Sequence, residues 1–396
     1  MPMFLPTIKM GPPPRPHVMA ALGADGRAKI GAFLESQPEH RPTPLVALPA
    51  MASAQGMAAL HVKDEGKRFH LTSFKALGGA YAVASLVLQQ AEARLGRPLA
   101  FADLTAPDVR GLAAHMTFAC ATDGNHGRSV AWGAELTGAA CQIFIHKGVS
   151  EARAAAMAAF GATINRVDGS YDDSIRIAAE TAAREGWTVV SDTAWDGYEA
   201  IPLTVMQGYT ATIGEALDAL DTPPTHIFVQ AGVGGIAAAV AAYAQQRLGA
   251  EAPKIVVVEP ARAACLYASA EAGHAVTIPH GEATVMAMLE CATPSPLAWE
   301  VLHHLADGYV TLAEDEAVTA MRLLANPLPG DTAIVAGESG CTGLAGALQC
   351  LNDLAARAHL GLGKASRILV INSEGATDAA IYAAIVGKTP QEVEGR

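Results

Sequence analysis

Short apolar runs rich in β-branched residues alternate along this chain with alanine-rich stretches of helical period. That alternation predicts parallel strands whose crossover helices cover both faces of a sheet. In the first half, residues 116–122 (MTFACAT) read as a strand, 123–127 (DGNHG) as a turn and 128–138 (RSVAWGAELTG) as a helix. CQIFIH (141–146) supplies the next strand, Ser150 caps a helix running through Phe160, and Gly161 stops it. ATINRV (162–167) is a further strand, Asp172 opens the helix after it, and TVVS (188–191) closes the series. In the second half, HIFVQ (226–230), KIVVVE (254–259) and RILVIN (367–372) predict one larger sheet. A helix follows residues 232–235, and another runs from about Cys341 toward Ala356.

The fold class expected is therefore α/β, with two open, twisted, mostly parallel sheets and helices on both faces. Boundaries near residues 87 and 205 make 1–87 plus 206–396 a discontinuous large domain, with 88–205 a small one. The proline-rich start reads as an arm, and no short-period repeat is present.

Composition narrows the class without naming a chemistry. A chain of 396 residues, 51% hydrophobic with 38 glycines, can bury two cores. The formal charge of -12 argues against nucleic acid and anionic membranes as partners. No apolar run is long enough to span a bilayer, and the start lacks a leader pattern, so the cytoplasm is the expected location. The six cysteines show no CxxC spacing, which removes zinc-ribbon and thioredoxin-type readings, and no metal is expected. Cys265 and Cys291 lie in a turn-rich region and can approach each other, but spacing does not fix a pairing and a reducing compartment opposes one.

Three segments carry candidate chemistry, and together they describe a pyridoxal phosphate site. Lys75, in SFKALGG (73–79), offers an amine for an imine bond; alone it is an ordinary lysine at a helix start. Gly232, Val233, Gly234 and Gly235 stand between a strand and a helix, where backbone N–H groups and the helix dipole converge on a phosphate; alone they are a tight connection. In the turn after the first strand, Asn125 can donate to a phenolate oxygen, while Thr122 and the loop amides at Asp123, Gly124 and His126 can take a substrate carboxylate. Each of these is also a turn former, and His126 by itself reads as structural. Ser373, after the last strand, can hydrogen-bond a pyridine nitrogen without requiring its protonation. Asp192 stands just past TVVS, on the carboxyl side where open α/β sheets place ligands; its bland reading is a cap.

These segments resemble the tryptophan synthase β-like superfamily, the fold type II pyridoxal phosphate enzymes, over most of the chain. LTSFKALGGAYA (71–82), ATDGNHGRSVAWGA (121–134), SDTAWDGYEAIPLTVMQGY (191–209), TVMAMLECATPSPLAWE (284–300) and GESGCTGLAGAL (337–348) resemble in particular the diaminopropionate ammonia-lyases. The resemblance implies Lys75 as the cofactor lysine, Asn125 beside the ring hydroxyl, 232–235 as the phosphate loop and Ser373 at the pyridine nitrogen. It makes Asp123 and Asp192 an acid-base pair, with both enantiomers of 2,3-diaminopropionate accepted and converted to pyruvate and two ammonia. A homodimer is the implied assembly. Serine and threonine dehydratases, by resemblance, carry a hydroxyl residue where this chain has Asp123; a carboxylate there attracts the β-ammonium of a diamine. The alternatives at this stage are a dehydratase or β-replacement enzyme of the same fold, and a non-catalytic cofactor or amino-acid binding protein.

Overall fold

The computed structural model describes residues 3–7 and 11–395. Among the described residues, eleven strands form two sheets: β1 (Phe4–Pro6), β2 (Leu45–Ala47), β3 (Ala59–Asp64), β4 (Thr117–Ala121), β5 (Ala140–His146), β6 (Thr163–Val167), β7 (Thr188–Val189), β8 (His226–Gln230), β9 (Lys254–Pro260), β10 (Gly308–Leu312) and β11 (Arg367–Asn372). The larger sheet has the order β1-β10-β9-β8-β11-β3-β2 and the smaller the order β6-β5-β4-β7. All neighbours are parallel except the two edge strands of the larger sheet, β1 on β10 and β2 on β3. The expected α/β class with two mostly parallel sheets is what the chain adopts.

Two compact units divide the chain. One comprises residues 1–25, 41–74 and 212–396, and the other residues 26–40 and 75–211. In the first, β8 is buried at every position, and Phe228, Val256, Val258, Val310, Ile368 and Val370 form the apolar centre. Burying a Val or Ile side chain contributes ~1.5–3 kcal/mol, which is why these strands tolerate no polar alternation. In the second, Ala119 and Phe144 of the middle strands pack with Val167, Ala178 and Ala182.

Local signals set the helix ends, with departures from expectation: the helix expected at 128–138 already starts at Asn125, and the one expected through Phe160 ends at Ala158. Ser150 accepts from the N–H of Arg153 and caps the helix Glu151–Ala158, and Gly161 follows at φ +76°. The next helix, Tyr171–Glu185, is capped by Ser170, whose hydroxyl accepts from Asp173 N–H while the Asp173 carboxylate returns to Ser170 N–H. Asp172 therefore lies inside the first turn rather than opening it, because the reciprocal pair of Ser170 and Asp173 satisfies two helix donors at once. The helix expected from Cys341 toward Ala356 is two, Thr342–Asn352 and Leu354–Leu360, split where Asp353 accepts from the N–H groups of Ala355 and Ala356. The proline-rich start carries β1, whose register with β10 places Phe4 opposite Val310, and the helix Pro16–Ala21.

Candidate active site

Within the second unit, Lys75 lies in the 3-10 turn Phe74–Leu77 that leads into the helix Gly79–Leu95. Small residues let this helix start press against the helix Asn125–Thr137: the N–H of Ala80 donates to the Ser129 hydroxyl at 2.9 Å, and a Cβ on Gly133 would stand 2.7 Å from the Ala80 Cα. Lysine turn and asparagine turn are thereby fixed to one another by backbone. Asn125 and His126 open the second helix and are both buried. Thr122 ties the turn together, its hydroxyl oxygen accepting from the N–H groups of Gly124 and Gly127 at 3.2 Å each.

The Lys75 amine makes an ion pair with the Asp192 carboxylate. Both side chains keep about a fifth of their surface exposed, so the pair is reachable from solvent. Burial on its own pushes the Asp192 carboxyl up, but the Lys75 ammonium outweighs it and holds the group well below the usual carboxylate range. Asp192 is held by its loop: Val190 N–H donates to the Ala119 carbonyl, Ser191 N–H donates to the Tyr198 hydroxyl at 3.0 Å, and that hydroxyl donates to the Val189 carbonyl at 2.8 Å. Trp195 stacks on Tyr198 with ring centroids 4.0 Å apart and closes the turn.

His126 faces the same carboxylate, its Nδ1 3.9 Å from Asp192, while its Nε2 lies 2.9 Å from the Val190 carbonyl. A carbonyl only accepts, so the ring proton sits on Nε2, and burial lowers the His126 pKa so that the ring is neutral at pH 7. Its place is that of a strut under the Asp192 loop. Tyr209, from the helix Ala200–Ala219, puts its ring beneath the lysine with Nζ 5.8 Å from the centroid. Sequence reading passed over Tyr209 because it lies in a long apolar helix; its i+4 spacing from Val205, which packs on the same glycine, Gly78, was the available signal.

Asp123 follows β4 and lies against the end of β5, its Oδ1 3.2 Å from His146 Nε2. His146 was also passed over, although it ends the strand CQIFIH beside the aspartate turn. The three strands β5, β4 and β7 are adjacent and parallel, so His146 at the carboxyl end of β5 and Asp123 and Asp192 beyond those of β4 and β7 share one edge of the sheet.

In the first unit, Gly234 takes φ +99° and caps the helix Gly235–Leu248, a conformation that L side chains rarely adopt. A Cβ there would also stand 2.9 Å from the Ala298 Cβ, and one on Gly232 would stand 2.8 Å from the Cys291 sulfur. Val233 turns its carbonyl outward to the N–H of Ser295. Among the described residues, the N–H groups of Gly232, Val233, Gly234 and Gly235 donate to no protein acceptor. Four free donors at the positive end of a 14-residue helix form a set that suits an anion. Ser373 is buried at the end of β11, and its carbonyl accepts from the N–H of Phe74, the residue before Lys75. All six cysteines, Cys265 and Cys291 included, are free thiols. Among the described residues, no cluster of side chains is arranged to hold a metal ion, and no helix is long and apolar enough to cross a membrane.

A lysine paired with a carboxylate, a glycine loop of unused amides and an asparagine turn on parallel sheets define a cofactor enzyme, and residues 36–374 match the family described as "Pyridoxal-phosphate dependent enzyme", to which the chain belongs. At the level of single proteins, it is 39% identical over 373 residues to the diaminopropionate ammonia-lyase of Escherichia coli K12, covering 92% of each chain. The crystal structure of the Escherichia coli diaminopropionate ammonia-lyase in complex with an aminoacrylate-PLP azomethine reaction intermediate superposes with a TM-score of 0.88. The sequences there are 35% identical, over 98% of this chain and 97% of the other. Tomato threonine deaminase, at 20% identity and a TM-score of 0.71, shares the fold, covering 99% of this chain and 100% of its own.

The family's cofactor fits the residues present. The free amides of 232–235 match a phosphate dianion, and glycine at 232 and 234 leaves no Cβ on the loop to crowd it. The Lys75 amine, held in place by the Asp192 carboxylate, matches an aldehyde.

Proposed function

We propose that the chain is a pyridoxal phosphate-dependent carbon-nitrogen lyase that eliminates ammonia from D- and L-2,3-diaminopropionate, yielding pyruvate and two ammonia in all. The observation that carries this reading is the presence of a carboxylate beyond each of two neighbouring strands, Asp123 after β4 and Asp192 after β7, with Asp192 on the cofactor lysine. When bound, the cofactor supplies an aldehyde for amine capture and a conjugated ring that accepts the electrons freed at Cα.

The chain's own groups do the rest. Lys75 would hold the cofactor through its Nζ and would be the amine that the substrate's amino group replaces. Asp192, ionised and in contact with that Nζ, orients it. Gly232, Val233, Gly234 and Gly235 hold the phosphate, Asn125 the ring hydroxyl and Ser373 the pyridine nitrogen. Thr122, Gly124 and His126 line the turn that receives the substrate carboxylate; the Thr122 oxygen already accepts two N–H groups, which leaves its own hydrogen to donate. One aspartate takes the Cα proton from each face, Asp123 for the D isomer and Asp192 for the L isomer. The β-ammonium leaves as ammonia, drawn to a site lined with negative charge. The unsaturated amine released is hydrolysed in water to pyruvate and the second ammonia.

A homodimer in the cytoplasm is the assembly and location that accompany this reading. Pyruvate and ammonia are to be measured with D- and L-2,3-diaminopropionate, serine and threonine as separate substrates. Turnover of both diamine isomers above the hydroxy amino acids supports the lyase; preference for serine or threonine makes it a dehydratase. No turnover of any of the four refutes both.

A further inference from the structure

We propose that His146 is a positioning residue for Asp123, holding its carboxylate with a neutral N–H in the pose in which it meets the substrate. The sheet register builds the pair: Ala121 of β4 stands opposite Phe144 of β5, so two residues further on Asp123 comes level with His146. The Thr122 N–H donates to the Phe144 carbonyl and carries the pairing one residue beyond the strand, which makes the approach a property of the backbone.

The proton on the ring is also assigned by geometry. The N–H of Gly148 donates to His146 Nδ1 at 3.1 Å, so Nδ1 is the acceptor and Nε2 carries the hydrogen. That nitrogen is the one 3.2 Å from Asp123 Oδ1, and a small rotation of either side chain closes the contact into a charge-assisted hydrogen bond. The cations next to His146 are turned elsewhere: Lys147 to Asp168 at 3.3 Å, and Arg166 to Glu151 at 2.7 Å and to the Val149 carbonyl. A neutral donor orients a carboxylate and leaves it the charge that a β-ammonium needs, whereas a lysine at that place would neutralise it. Both side chains are partly exposed, while the Asp123 Oδ1 that faces the ring is buried, so the contact holds the inner oxygen of the carboxylate.

This inference rests on the reading of Asp123 as the base for one enantiomer. Steady-state kinetics of the holoenzyme with D- and L-2,3-diaminopropionate, for Asp123→Asn, His146→Leu and His146→Gln, test it. His146→Leu is expected to lower kcat about tenfold or more, with KM nearly unchanged, for the isomer that Asp123→Asn impairs, and to leave the other isomer within about twofold. His146→Gln, whose side-chain amide N–H falls near the place of Nε2, is expected to restore most of the loss. Equal losses for both isomers in His146→Leu, or no rescue by glutamine, overturn the positioning role alone. Asp123→Asn without effect on either isomer overturns the base assignment and the role of His146 with it.

Discussion

Replacing Gly208 by alanine sets two effects of opposite sign against each other at the turn that carries the lysine. Gly208 lies inside the helix Ala200–Ala219, where alanine in place of glycine gains about 1 kcal/mol of helix propensity. The new Cβ, however, would stand 2.0 Å from the Leu77 carbonyl oxygen and 2.8 Å from its carbon. A carbon and a carbonyl oxygen rest at about 3.3 Å or more, so helix or turn must retreat by more than ~1 Å. Both partners are backbone, and the Lys75 carbonyl is tied into the same turn by the N–H of Gly78. Overpacking of this kind costs ~1–3 kcal/mol, at the upper end where nothing flexible can yield, so the clash exceeds the propensity gain. A displacement near 1 Å at a reacting group costs about a hundredfold in rate. Thermal unfolding and kcat/KM for diaminopropionate are the assays, with Gly111→Ala as the control. Gly111 sits in the helix Pro107–Ala113 with nothing within 4 Å of its would-be Cβ, so that variant should be as stable as the parent or more so and fully active. Unchanged melting temperature and unchanged kcat/KM in Gly208→Ala would refute the claim that this contact sets the lysine turn.

Two further outcomes follow from buried charge. Arg68 donates to Glu65 and Glu215, all three buried, and holds the segment in which Phe69 and Thr72 take positive φ ahead of Lys75; Arg68→Met leaves those carboxylates short of partners and should cost about 3–5 kcal/mol by chemical denaturation. Burial, opposed by a hydrogen bond from Asn372, pushes the Asp64 carboxyl up from 3.8 to about 6. The native chain therefore binds more protons than the unfolded one between those values, so this contribution to stability is complete below about pH 4 and is lost as pH rises through about 6. Asp64→Asn should flatten the unfolding free energy over that interval by about 3 kcal/mol, measured by denaturant titration at several pH values.

The parts of this structure legible in the sequence are those where one physical demand dominates. HIFVQ and RILVIN begin and end as strands where expected, because each has an unbroken apolar centre, IFV and ILVI, of the kind a strand buried on both faces requires. β3, ALHVKD, escapes that reading because Lys63 and Asp64 interrupt the apolar run. Their burial is compensated by partners remote in sequence, Glu215 for Lys63 and Asn372 for Asp64. The edge strands β1 and β2 are three residues long and leave no periodicity to read. In the candidate site, residues in short motifs at turns were visible as chemistry: Lys75 and Asp192 form an ion pair across 117 positions of sequence. His146 was not, since its meaning depends on the register of β4 against β5, which no single segment contains.

The central claim, that Lys75 is the residue holding the cofactor, is tested most directly by reducing the holoenzyme with borohydride and locating the modified lysine by peptide mass spectrometry. The account predicts one pyridoxyl group, on Lys75, and its loss when diaminopropionate is present in excess during reduction. A label on any other lysine, or one on Lys75 that excess diaminopropionate fails to displace, would contradict it.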